Sequence, residues 1–161
     1  MTLSYIERSL DVFGVEFLDF QLTHQTILGD DPFAALAFEK MDVRLQCERE
    51  LKATLIRLRQ GYITTSANRR VVQDILISTV KGLAPIFRAM FWLKGVERPN
   101  TAEPTIRKAT EVFSLNTDAI ARAETWRRQK TRIDEEQMQE TFEAIYTTVE
   151  QLSVIVDELQ L

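Results

Sequence analysis

Cysteine and histidine are almost missing from this 161-residue chain: Cys47 and His24 each stand alone. A single cysteine excludes an intrachain disulfide and fits a reduced, cytoplasmic protein. The two residues together are too few for a zinc cage built from this chain. Glycine is scarce as well, five in all, and no Gly-x-x-x-x-Gly-Lys phosphate loop occurs. No Glu-x-x-His pair is present to build a di-iron centre between helices. No apolar run approaches the roughly 18–20 residues that span a bilayer, and the N-terminus lacks the basic-then-apolar pattern of a signal peptide. These absences predict no catalytic residue, no metal and no cofactor of the chain's own, and no membrane.

Charge is plentiful but unevenly placed. The formal net charge is −4. Residues 44–108 carry thirteen bases against five acids, whereas residues 133–161 carry eight acids and no base. Two explanations stand: an acidic last helix neutralising basic central ones, or a basic face kept for phosphate.

From Asp42 onward the pattern is helical. Leu45, Leu51, Leu55, Leu58 and Tyr62 form one apolar stripe over 42–62. Asn68 is a good cap for a second helix, which carries Val72, Leu76, Leu83, Phe87 and Met90 inward, with a kink expected near Lys81 because of Pro85. Pro104 suits the first turn of a third helix, and Asn116 or Thr117 starts a shorter fourth. Asp134 and Gln137, in capping-box spacing, open the last. Residues 12–28 instead cluster Val, Phe and Leu like β-strands and stop at Gly29-Asp30-Asp31-Pro32. The expected fold is therefore mainly α: an antiparallel up-and-down bundle of four or five helices over 42–161, preceded by a short β-hairpin or strand segment in 1–41. Sustained apolar heptads of a coiled coil are absent.

Candidate binding residues are arginines and aromatics. Arg49 and Arg57 lie on the first long helix. Arg88 and Trp92 lie in the apolar run 85–93, where an arginine must snorkel, pair with a carboxylate such as Glu48 or Glu50, or face a pocket beside Lys81. Trp126, Arg127 and Arg128, with Lys130 and Arg132, form the densest basic cluster, and an aromatic among bases is a device for clamping nucleic acid. His24 reads as a surface or sheet-edge residue and Cys47 as a small packing residue.

Three stretches carry a family resemblance: Asp11-Val-Phe-Gly-Val-Glu-Phe-Leu-Asp-Phe20 with His24 to Pro32 after it, Arg44-Leu-Gln-Cys-Glu-Arg-Glu-Leu51, and Leu55-Ile-Arg-Leu-Arg59. Together they resemble the junction of bacterial nucleotidyltransferase-like proteins, where a polymerase-β-type catalytic domain precedes a helical domain. That helical domain is similar to the substrate-binding domain of kanamycin nucleotidyltransferase and to HEPN domains. The resemblance implies that residues 1–41 end a catalytic domain and that 42–161 form the helical domain. The Gly-Ser and Asp-x-Asp signature of the catalytic domain is absent. Glu16 or Asp19 could resemble its third metal-binding carboxylate, but alone neither holds the ions. The Arg-x4–6-His motif of HEPN ribonucleases is absent too.

The expectation is a non-catalytic helical accessory or substrate-binding module of a nucleotidyltransferase-type system, with a catalytic chain as partner. The alternatives are a nucleotide- or nucleic-acid-binding bundle, and a structural bundle that self-associates through its N-terminal strands into a homo-oligomer.

Overall fold

The structure is a computed structural model that describes residues 2–64, 68–129 and 133–161, with Arg69, Arg127 and Gln129 described by backbone alone. Seven helices occur among the described residues: α1 (Leu3–Arg8), α2 (Leu10–Thr23), α3 (Lys40–Thr64), α4 (Arg69–Leu93), α5 (Ala102–Phe113), α6 (Asp118–Gln129) and α7 (Glu135–Asp157).

The five helices from α3 onward follow their sequence signals, except that Leu45 and Tyr62, expected on the inner stripe of α3, are exposed because they fall on its outer side. The Asn68 side chain accepts from the Arg70 N–H and starts α4. Asp134 accepts from the Gln137 N–H at 2.8 Å and starts α7. Ser114, at φ 54°, ends α5 in the left-handed conformation. The helix runs on through Pro85 as a single element.

The N-terminal strand segment is corrected. Residues 10–23 are helical, and no strand occurs among the described residues. Gly14, Val15 and Leu18 are buried, a helical step, while Val12, Phe13 and Phe20 remain exposed. The aromatic and β-branched content suggested strands, but one or two strands leave backbone groups unpaired, whereas a helix satisfies its own.

Helix α3 packs on α4 and α7, and α6 packs on the same two. The guanidinium of Arg44, near the start of α3, donates to the Val156 carbonyl near the end of α7 at 3.3 Å, so these helices run antiparallel. Helix α2 lies on α3 and α4, and its Val15 and Leu18 join the main core with Leu51, Leu76, Phe87 and Leu152. A satellite cluster of Ile6, Phe17 and Phe33 ties α1 and the 24–39 loop to α2. Phe38 packs against both clusters.

By length and composition the 70–93 stretch could cross a membrane, which the sequence had not suggested, but its apolar residues are largely core: 56% of its most apolar window is buried.

Candidate functional site

A groove of about 590 Å³ lies between α2, α3 and α4. Its polar lining comprises Glu16, Glu50, Arg57, Asp74, Ser78 and Thr79, over an apolar base that includes Val15, Ile75 and Ile86. The groove exists because of local sequence. Thr54 and Arg57 stand one turn apart on α3, and the Arg57 guanidinium donates to the buried Thr54 hydroxyl at 2.8 Å. That contact steers the guanidinium along the wall, 4.0 Å from the Glu50 carboxylate. On α4, Gly82 brings no side chain into the space, and a Cβ there would meet nothing within 4 Å. Pro85, on the same wall, has no N–H for the Lys81 carbonyl, which leaves a backbone acceptor nearby. With three carboxylates against one guanidinium, the groove offers acceptors over an apolar base.

Arg88 is not in the groove. It is 7% exposed, and its Nε donates to Asp19 Oδ1 of α2 at 2.5 Å. The expected partners Glu48 and Glu50 lie elsewhere, and Lys81 is exposed while Arg88 is buried. Arg98 joins this knot, donating to the Leu18 carbonyl at 3.2 Å. Burial pulls the Arg98 guanidinium below its ordinary value; Asp19 opposes that and the neighbouring Arg88 adds to it. The knot pins α2 to α4 and to the turn before α5, and it spends Arg88 on structure.

The other candidates separate. Arg49 is exposed on the outer side of α3, its guanidinium 3.5 Å from the Val12 carbonyl. Trp92 is half-buried, edge-on to Phe38 at 6.3 Å. Trp126 is buried in the core, so it is no stacking platform. Arg128 holds Glu124 at 3.4 Å and Glu103 at 3.7 Å beside a second groove, of about 350 Å³, between α5 and α6. The Arg127 side chain, Lys130 and Arg132 lie outside the described residues.

His24 and Cys47 have structural settings. His24 Nε2 meets Asp31 Oδ1 at 2.8 Å, and its Nδ1 faces the Phe20 carbonyl at the end of α2. Burial, helped by the charge of Glu16 and Glu50, pushes the Cys47 thiol up to about 12.

Sequence reasoning did not select Glu16 as a groove residue, nor Asp74, Ser78 and Thr79. The available signal was a polar strip, Asp74-x-x-x-Ser78-x-x-x-Gly82, along an otherwise apolar helix. No protein-family model, curated protein or solved structure matches this chain.

Proposed function

We propose that the chain is a non-catalytic helical module that supplies substrate contacts in a nucleotidyltransferase-type system. One observation carries this reading: all three stretches that bear the resemblance meet at this groove, the first of them as helix α2 and not as the end of a catalytic sheet. Val15 and Glu16 come from the first, Glu50 from the second and Arg57 from the third, and all line the same space. Residues of α2 and α3 thereby share one concave surface with α4, the setting in which small ligands bind. In this reading α3, α4, α6 and α7 form the up-and-down bundle, with α2 closing the groove and presenting it to a polymerase-β-type domain. The nucleic-acid reading finds less support, because Arg88 is held by Asp19 and Trp126 is buried.

The test is mass spectrometry of proteins that co-purify with the tagged chain from its own host. The expected result is a stoichiometric companion carrying Gly-Ser and Asp-x-Asp, whose recovery drops when Glu16→Arg and Arg57→Glu are introduced together. Recovery of the chain without such a companion would sink the reading.

A further inference from the structure

Two helices carry seams of residues that stay exposed among the described residues. On α3, Leu45, Arg49, Lys52, Ile56, Arg59 and Ile63 advance by alternating steps of four and three, the spacing that keeps residues along one side of a helix. All six are exposed; Leu45, Ile56 and Ile63 are 48%, 52% and 75% exposed, large fractions for such residues. The seam spans about 27 Å at 1.5 Å per residue. On α7, Glu136, Glu140, Glu143, Thr147, Glu150, Val154 and Asp157 advance by the same steps, and all are exposed. One seam is apolar and basic, the other acidic. Lys52 is partly answered within its own helix by Glu48, at 2.5 Å, but Glu48 also serves Arg44, at 3.4 Å.

The two seams open on the same side of the molecule. Arg59 and Ile63 from α3, and Glu143 and Thr147 from α7, line one cup of about 450 Å³. The cup is floored by Tyr62 and Phe142, ring centroids 4.7 Å apart.

We infer that this face binds a second copy of the chain, the basic seam of α3 seating against the acidic seam of the partner's α7 and the reverse. The arrangement follows from charge and direction. A two-fold axis running along the helices lays each α3 over the partner's α7 and preserves heights along the axis. Within one protomer, Arg44 stands level with Val156, and Arg59 level with Tyr146, to whose hydroxyl its Nε donates. The same levels then set Lys52 opposite the partner's Glu150 and Arg59 opposite the partner's Glu143. The apolar residues Leu45, Ile56 and Ile63 leave water in the same step, and Coulomb attraction fixes the register. The segregation of charge along the sequence becomes a self-complementary surface. This inference does not depend on the groove.

The experiment is sedimentation velocity on four samples. Wild type is expected to sediment as a dimer at low salt and to weaken at least tenfold as salt is raised. Arg49→Glu with Lys52→Glu, and separately Glu143→Lys with Glu150→Lys, should each give a monomer with unchanged far-UV circular dichroism. Mixing the two variants should restore a one-to-one dimer, since each reversed seam then meets its complement. Wild type that stays monomeric at every soluble concentration overturns the inference. So does a dimer indifferent to both reversals, or a mixture that stays monomeric. Should a double variant fail to fold, Lys52→Glu and Glu150→Lys singly carry the same test.

Discussion

The side chain of Gln46 replaces a missing backbone hydrogen bond at Val15. In α2 the Val15 N–H would ordinarily reach the Asp11 carbonyl, but Phe13 sits at φ −120° and ψ 28°, outside helical values. Gln46 Oε1 accepts from the Val15 N–H at 2.9 Å, and its Nε2 donates to the Asp11 carbonyl at 2.6 Å. The amide of α3 is thereby spliced into the ladder of α2. Gly14 lies beside this splice, where a Cβ would meet Gln46 Oε1 at 3.4 Å, an ordinary van der Waals contact.

Replacing Gln46 with leucine keeps the bulk and removes both bonds. The Val15 N–H, at a residue 3% exposed, and the Asp11 carbonyl then lose this partner. The expected loss is about 2–4 kcal/mol of unfolding free energy, read by urea denaturation. A loss below about 1 kcal/mol would show that water replaces the amide.

Arg88 and Asp19 form an ion pair whose side chains are 8% and 12% exposed. Arg88→Met strands a carboxylate there and should cost about 3–5 kcal/mol. The double change Arg88→Met with Asp19→Leu should recover most of that stability. A double variant no better than the single one would place the value of Arg88 elsewhere, with Thr105, 3.5 Å from its guanidinium.

Cys47 should resist alkylation by iodoacetamide in the native protein and react at the rate of global unfolding, because its sulfur is fully buried. Its folded value, about 12, stands above the ordinary 9.0. The unfolded chain therefore loses this proton first. The thiol's contribution to stability is complete below about pH 9 and declines as pH climbs toward about 12. Cys47→Ala should flatten the stability profile across that window; an unchanged slope would refute the assignment.

Asp31 works in the opposite direction. The Phe33 N–H, at 2.8 Å, is the main reason its carboxyl lies below the ordinary 3.8, and His24 lowers it further. Its contribution is present above pH 3.8 and disappears as pH falls through the lower folded value. Hydrogen exchange should show the Phe33 amide losing protection on acidification before the amides of α4 do. Simultaneous loss would contradict a local role for Asp31.

Helices α3 to α7 were legible because their caps and stripes are local. Asn68 and Asp134 announce two starts, and Leu51, Leu55 and Leu58 mark an inner face. Helix α2 was not legible, because its Phe- and Val-rich content suggests strands and its ladder depends on Gln46 of another helix. The misreading spread to the site. The partner of Arg88 is Asp19, on the very segment taken for a strand, so no inspection of the 85–93 run could find it. Arg57 was legible as a polar residue on α3. The groove around it was not, since Glu16 and Asp74 reach it from helices that meet α3 only in the fold.

Helix α4 is packed by α2, α3, α5, α6 and α7. None of these can swing away without baring part of α4, including Phe87, Met90 and Phe91, each completely shielded from solvent. Such a hub ties the melting of these five helices to that of α4, whereas α1, packed on α2, can open by itself. The amides of Phe87, Met90 and Phe91 should therefore exchange only when the whole chain opens.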